Sequence, residues 1–164
     1  MKLIKYITSI GLFMLFSTAV LANEQTIKEL DATWSHLANT VANGDFEGYS
    51  ASYHGGAILV SGFSNESYPI ATALAQWKQG FVDTKAGKLR AHVDFRFSKR
   101  LNDETTAHET GMFYYYTIDA KGKRSDFFVH MNALLVKQSG QWLIMMEFQK
   151  SQATQDEWDM LKKG

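Results

Sequence analysis

The spacing of apolar residues changes once along this chain, and that change restricts the fold more than any other feature of the sequence. In the first half, apolar residues recur every three or four positions, as they do on helices that bury one face. From His92 onward they alternate with polar residues, as they do on strands: Val93, Phe95 and Phe97 are the first such run. Helices followed by strands predict an α+β domain with its helices packed on one face of an antiparallel sheet.

The first half predicts three helices. The first carries an apolar stripe and ends at Asn43-Gly44, since glycine accepts the left-handed conformation of helix ends: Ile27, Leu30, Trp34, Leu37, Val41. A short second helix follows the capping residue Asp45, and His54-Gly55-Gly56 separates it from a short strand over Ala57–Val60. The third begins at Pro69, and its buried face consists of Ile70, Leu74, Trp77 and Phe81.

The second half predicts a meander of strands. After the first run, strands cover 107–117, 127–137 and 142–149, with turns at Asp119–Gly122 and Ser139-Gly140. On the hairpin strands, both the odd-numbered and the even-numbered residues are largely apolar. In an antiparallel sheet with one face in water, apolar and polar residues alternate more regularly. Apolar patches beyond a few hundred Å² are rarely left exposed, so we expect a homodimer or larger assembly that covers the second face of the sheet.

The first 22 residues have the order of a secretory signal peptide. Lys2 and Lys5 precede an apolar run over 7–20, and Val20-Leu21-Ala22 provides the small residues of a cleavage site. An uncleaved membrane anchor is the alternative, but the run is shorter than the roughly 20 residues that span a bilayer. We predict cleavage after Ala22, a single domain over 23–164, a periplasmic or secreted location, and no membrane partner after cleavage.

Composition excludes several classes of function. The 17 basic and 17 acidic residues balance, whereas a nucleic-acid-binding protein carries a basic excess. The chain has no cysteine, which excludes disulfides, thiol catalysis and cysteine-ligated zinc. His92, His108 and His130 lie on three successive strands but on the parity opposite the inward set, so we expect no metal site. No cofactor-binding motif is present, and we expect no cofactor.

Two short motifs carry a resemblance to a known family. Asn43-Gly44-Asp45-Phe46-Glu47, followed by Tyr49, and Gly140-Gln141-Trp142 are similar to motifs of the calcium/calmodulin-dependent kinase II association domain. The chain thus resembles the nuclear transport factor 2-like superfamily, which includes SnoaL-like proteins and ketosteroid isomerases, over nearly all of residues 25–151. The resemblance implies a cone-shaped roll with a pocket between the helices and a curved sheet, and dimers that form through the sheet.

The same resemblance implies an interior without polar anchors. The association-domain branch has an arginine on each hairpin strand, and the matching positions here are Phe113 and Ala133. Its two last-strand histidines correspond to Met146 and Phe148. The interior of the cone is then either an apolar pocket or filled by side chains, and a carboxylate ligand held by paired arginines is disfavoured. The predicted ligand-binding residues are the apolar and aromatic ones that face the cone: Tyr49, Tyr53, Trp77, Phe113, Tyr115, Met131, Met146, Phe148.

Three residues are candidates for acid–base chemistry. Glu109 shares the parity of Phe113, and desolvation in an apolar cone would raise its pKa as a general acid or base requires. The alternative, which we favour, is that Glu109 lies at the wet rim of the cone. Tyr115 is on the same strand but about 20 Å away, too far for both to hold one small substrate. His54, beside Tyr49 and Tyr53, shuttles a proton or simply caps the second helix.

Three functions are compatible with these patterns. The first is the binding of a small apolar or aromatic molecule in the cone. The second is a cofactor-independent isomerase, dehydratase or cyclase that uses Glu109 or His54; it rests on the family's chemistry alone. The third is a non-catalytic oligomerisation module.

Overall fold

A computed structural model of the chain describes residues 11–161, with side chains from Glu24 to Leu161. Four helices and six strands follow one another along the sequence, in this order: α1 Gly11–Asn43, α2 Phe46–Ala51, β1 Tyr53–Ser61, β2 Glu66–Pro69, α3 Ile70–Lys85, β3 Leu89–Asn102, β4 Thr106–Asp119, β5 Arg124–Gln138, β6 Gln141–Gln152, α4 Gln155–Met160.

The strands form one curved, unclosed six-stranded sheet in the order β2-β1-β6-β5-β4-β3. Strands β3 to β6 are the predicted antiparallel meander, and α1, α2 and α3 pack on its inner face. The predicted α+β cone is therefore confirmed. Two pairings were not foreseen. Strand β1 joins the sheet parallel to β6, which makes the sheet mixed, and the unpredicted β2 pairs antiparallel with β1.

Helix α1 packs on the sheet through the predicted stripe. Leu30, Trp34 and Leu37 are buried in the main core, and Val41 lies in a second apolar cluster with Phe81 and Val93. The helix ends as predicted at Asn43, because Gly44 adopts a left-handed φ of 64°. A Cβ on Gly44 would lie 2.4 Å from the backbone nitrogen of Lys85, so this turn brings the ends of α1 and α3 into close contact.

The second helix is shorter than its sequence pattern predicts. Asp45 caps it, and its carboxylate accepts a hydrogen bond from the Gly48 backbone nitrogen at 3.0 Å. The sequence pattern carries this helix as far as Tyr53 and separates it from the strand at His54-Gly55-Gly56. Both predictions are wrong, since all four residues belong to β1. The backbone nitrogen of Ile144 donates to the Ser52 carbonyl at 2.9 Å, so β6 pairs with the chain as soon as α2 ends.

The outer face of the sheet carries the even-numbered residues of the hairpin strands, and part of it is covered by α4. Trp158, only 3% exposed, packs in one cluster with Met112, Tyr114 and Phe128. Arg96 lies over the Trp158 ring at 4.3 Å and donates a hydrogen bond to its carbonyl oxygen at 2.7 Å. The chain therefore covers part of both faces of its own sheet, which the sequence pattern does not predict.

His92 and His130 lie on this outer face, as their parity predicts. His92 stacks on Tyr116 at a centroid distance of 5.0 Å, and His130 Nε2 lies 3.3 Å from Glu157 Oε1 of α4. Both rings are thus on the side of the sheet that is remote from α1, α2 and α3.

The predicted signal peptide over residues 1–22 lies partly outside the described residues, and its side chains lie wholly outside them, so it stays a prediction. Of the helices described, none combines the length and apolar character needed to cross a membrane.

Candidate functional site

A cavity of about 520 Å³ lies between α1, α2, α3 and the concave face of the sheet. Its walls are mostly aromatic and aliphatic, and they come from three helices, four strands and the turn between β1 and β2. The residues at its centre are Trp34 and Leu37 of α1, Tyr49 of α2, Trp77 and Phe81 of α3, Phe95 of β3, and Phe113, Tyr115 and Met131 of the hairpin strands. Pockets of this volume and composition are typical of small-molecule sites.

Aromatic contacts define the shape of the cavity. Tyr49 packs edge-on against Trp77 at a centroid distance of 6.1 Å and contacts Phe81 at 4.9 Å, so the α2 and α3 walls support each other. On the opposite side Trp34 lies 4.6 Å from Phe95. Tilted and edge-to-face pairs of this kind are favourable and fix ring orientation, which makes the walls largely preformed.

Two exposed phenylalanines mark the mouth. Phe63, in the turn between β1 and β2, is 56% exposed, and Phe127, at the start of β5, is 53% exposed. Both also line the cavity, together with Gln76 and Thr84 of α3. The cavity thus opens to solvent between apolar side chains, which is a surface that an apolar ligand can cross.

Glu147 is the acidic group in the wall, and it is buried. Its Oε2 accepts a hydrogen bond from the Tyr53 hydroxyl at 2.5 Å, and its Oε1 accepts one from Gln149 Nε2 at 2.8 Å. Desolvation raises the pKa of Glu147 above its ordinary value, although these two hydrogen bonds oppose the shift. A carboxyl group that loses its proton with difficulty in an apolar cavity is suited to hydrogen bonding or to proton transfer.

The residues that line the cavity within the described chain include no lysine, arginine or histidine. Glu147 therefore has hydrogen-bonding partners but no cation beside it in the cavity wall. An anionic ligand would find no compensating charge there, which agrees with the sequence-based argument against a carboxylate ligand.

A bulge in β6 brings Glu147 into the cavity. Leu135 pairs with Ile144 and Leu134 pairs with Met146, so Met145 is an extra residue that reverses the alternation beyond it. Met146 and Phe148, expected inside, therefore lie on the outer face, and Glu147 and Gln149 lie inside. The expected interior without polar anchors is wrong for this reason. The one available signal was a lone carboxylate between apolar residues of a buried strand.

Five of the eight predicted ligand-binding residues line the cavity. Phe113 and Met131 face the helices as the alternation predicts, and the other three are Tyr49, Trp77 and Tyr115. Tyr53 is buried directly behind the wall, where its hydroxyl lies 3.1 Å from that of Tyr49. Burial raises the pKa values of both Tyr49 and Tyr53 above their ordinary range.

Glu109 belongs to a different cluster. It is 0% exposed, so its interpretation as a rim residue is wrong, and it does not line the cavity. It accepts hydrogen bonds from the Arg100 guanidinium and the Trp34 indole, and Arg100 also pairs with Asp31 of α1 at 2.5 Å. The cluster ties α1 to β3 and β4 and holds the ring of Trp34 in the cavity wall.

His54 also lies away from the cavity. Its Nδ1 accepts a hydrogen bond from the Gly56 backbone nitrogen at 3.0 Å, in the partly exposed first half of β1. The structure therefore separates His54 and Glu109 from the cavity and places Glu147 there, together with Tyr49 and Tyr115.

The comparison with solved structures gives one fold. The chain is similar to a nuclear transport factor 2-like protein of unknown function from Shewanella oneidensis (15% identity, 75% of this chain and 97% of that one, TM-score 0.60). It is similar to a putative calcium/calmodulin-dependent protein kinase II association domain from Xanthomonas campestris (20% identity, 75% of this chain and 83% of that one, TM-score 0.54). It is also similar to ActVI-ORFA from Streptomyces coelicolor (16% identity, 76% of this chain and 95% of that one, TM-score 0.60).

At these identities the similarity shows the fold alone, and it confirms the fold that the sequence motifs suggested. The sequence matches no protein-family model and no curated protein.

Proposed function

We propose that this domain, whose fold is that of the nuclear transport factor 2-like proteins, binds a small apolar or aromatic molecule in its cavity. The observation that carries the proposal is a preformed cavity of about 520 Å³ with aromatic walls and an apolar mouth. Two polar side chains, Glu147 and Gln149, lie at one wall, which is the pattern of sites that use a few polar groups to orient an apolar ligand.

A fluorescence titration with fluorene, an uncharged ring hydrocarbon, tests the proposal. We expect saturable binding of one molecule per chain. Ala91→Phe, which places a ring in the cavity wall, is expected to weaken binding at least tenfold, whereas Ala75→Phe, on the exposed side of α3, leaves it unchanged. Absence of saturable binding, or equal weakening by both variants, would contradict the proposal.

A second candidate is a cofactor-independent enzyme that moves a proton on the bound molecule. The observation that favours it is Glu147, since a carboxyl group with a raised pKa in a water-poor site can act as general acid or base. Its role replaces those considered for Glu109 and His54. Deuterium exchange next to the carbonyl of an added ketone, lost in Glu147→Gln, would separate this candidate from plain binding.

We also propose that two chains associate through the outer face of the sheet. Ile58 of β1 and Leu134 of β5 both pair with Met146 of β6, so these three residues form an apolar row across three strands. Ile58 is 40% exposed, and the cluster around Trp158 does not include any of the three. A second copy of the chain would cover this row, either as a dimer that carries two ligand sites or as an oligomerisation module.

We retain the proposal that the chain is exported, on the basis of its first 22 residues. The mass of the mature protein purified from its source tests it. A chain that begins at Asn23 is expected, and a chain that retains residues 1–22 would contradict the proposal.

A further inference from the structure

Three side chains form a line of hydrogen bonds behind the cavity wall. The Tyr49 hydroxyl lies 3.1 Å from the Tyr53 hydroxyl, which lies 2.5 Å from Glu147 Oε2. Glu147 Oε1 is occupied separately by Gln149 Nε2. Tyr49 and Glu147 line the cavity at the two ends of this line, and the buried Tyr53 joins them without itself lining it.

The number of hydrogens in the line depends on Glu147. Each tyrosine hydroxyl has one hydrogen to donate and can also accept. When Glu147 is ionised it only accepts, so Tyr53 donates to it and Tyr49 donates to Tyr53. The Tyr49 oxygen is then left with a free lone pair and no free hydrogen.

Protonation of Glu147 reverses the line. Gln149 still donates to Oε1, so the proton is on Oε2 and is donated to the Tyr53 oxygen. Tyr53 then donates to the Tyr49 oxygen, and the Tyr49 hydrogen becomes free. The heavy atoms keep their positions, because the two distances between the hydroxyl and carboxyl oxygens, 3.1 Å and 2.5 Å, suit either direction of donation.

We propose that Glu147 sets the polarity of Tyr49: the Tyr49 hydroxyl offers a ligand an acceptor when Glu147 is ionised and a donor when Glu147 is protonated. The ligands concerned are uncharged ring molecules with one polar atom, either a carbonyl oxygen or an N–H group. This inference rests on the proposed function and adds the chemistry that selects the ligand's polar end.

The hydrogen-bonded line is the main electrostatic influence on Glu147 among the groups around it. The titratable groups that face it are Tyr53 of β1, Tyr49 of α2 and, next to Tyr49, Tyr115 of β4. The paired residues on the adjacent strands, Leu59 and Ala133, are apolar. Burial raises the pKa of the carboxyl group, which moves its change of protonation toward neutral pH.

Three ring molecules of nearly equal shape provide the test. Fluorenone carries a carbonyl oxygen that only accepts, carbazole carries an N–H that only donates, and fluorene carries neither at the same position. None of them titrates in the range used, from about pH 4 to about pH 9, which brackets the pKa values of buried glutamates. Fluorene alone reports on the proposed function.

We expect the order of affinities to reverse with pH. At low pH fluorenone binds about fivefold tighter than fluorene, which is the effect of one net hydrogen bond, and at high pH carbazole gains the same advantage. Fluorene binding stays level across the range. If fluorene fails to bind, the proposed function is wrong; if all three bind with no reversal, only the present inference is wrong.

Substitutions distinguish the line from direct contact with Glu147. Tyr53→Phe keeps Tyr49 and Glu147 but breaks the hydrogen bonds that join them, so it is expected to abolish the reversal of affinities with pH. Tyr49→Phe removes the hydroxyl that contacts the ligand, so it is expected to abolish the preference for fluorenone at low pH and for carbazole at high pH. Glu147→Gln is expected to make all three affinities independent of pH. Tyr114→Phe, on the outer face, serves as the matched control and retains the reversal. A reversal that survives in Tyr53→Phe or Tyr49→Phe would overturn the proposal, because Glu147 would then contact the ligand itself.

Discussion

At the residue scale, the protein buries two glutamates whose partners differ in charge. Glu109 is paired with the Arg100 guanidinium, and Asp31 adds a second anion to the cluster. Among the described residues, the hydrogen-bond donors to Glu147 are both neutral: Tyr53 and Gln149. A buried charge is costly unless it is paired, so the first glutamate is suited to structure and the second to a site whose protonation changes.

The Arg100 cluster predicts a large loss of stability on truncation. Arg100→Met leaves the carboxylate of Glu109 buried without its cation, and we expect a loss of about 3 kcal/mol or more in the free energy of unfolding. Arg124→Met removes an ion pair with Asp126 that is exposed on both sides, so we expect a much smaller loss of stability than for Arg100→Met. Urea denaturation of both variants measures the difference. Equal, small losses would show that Glu109 does not need its partner.

Glu147 predicts a dependence of stability on pH with a definite sign. Its folded pKa is raised, so between the ordinary glutamate value and the raised one the folded state binds more protons than the unfolded state. Its contribution to stability is therefore complete below the ordinary value and decreases as the pH rises to the raised value. The free energy of unfolding of the wild type, measured in urea against that of Glu147→Gln, should fall over this interval. A difference that rises with pH would mean that the folded state favours the ionised form.

At the element scale, β6 shows how far sequence patterns lead and where they fail. Alternation places Phe113 and Met131 on the concave face correctly, because β4 and β5 pair without a bulge between them. The resemblance to the association domain places Met146 and Phe148 on the wrong face, because Met145 is extra in β6 and reverses the alternation beyond it. Both Met145 and its neighbours are apolar, so the sequence contains no polar residue that marks the bulge. Tertiary pairing decides its position, and with it the identity of the buried acid.

Helix α4 is too short to be stable by itself, so we expect its stability to depend on one side chain. Trp158 is 3% exposed, whereas Met160 on the same helix is 75% exposed. Trp158→Ala is expected to cost about 3 kcal/mol or more, and Met160→Ala less than about 0.5 kcal/mol. Urea denaturation followed by tryptophan-independent circular dichroism measures both. A negligible effect of Trp158→Ala would mean that α4 does not pack on the sheet in solution.

At the scale of the whole molecule, the fold follows from the sequence more completely than the site does. The order of helices and strands depends on periodicities that extend over many residues, and one misplaced residue does not change them. The cavity depends on local contacts of a few residues. Glu109, considered for the cone or its rim, pairs with Arg100 outside the cavity, and the bulge in β6 places Glu147 in the cavity wall. The parallel β1–β6 pair was missed for a related reason, because it joins residues nearly ninety positions apart.

The apolar row on the outer face predicts the oligomeric state. Met146 is its centre, since it pairs with Ile58 on one side and with Leu134 on the other. Met146→Glu would place a charge in the contact between two chains, and we expect the dissociation constant of the dimer to rise at least about tenfold. Val82→Glu, at an exposed position of α3, is the matched control and should leave the dimer intact. Light scattering coupled to size exclusion, over a range of protein concentrations, measures the mass of each variant. If the wild-type chain stays monomeric throughout that range, the row does not bind a second chain. The oligomerisation module is then excluded from the candidate functions.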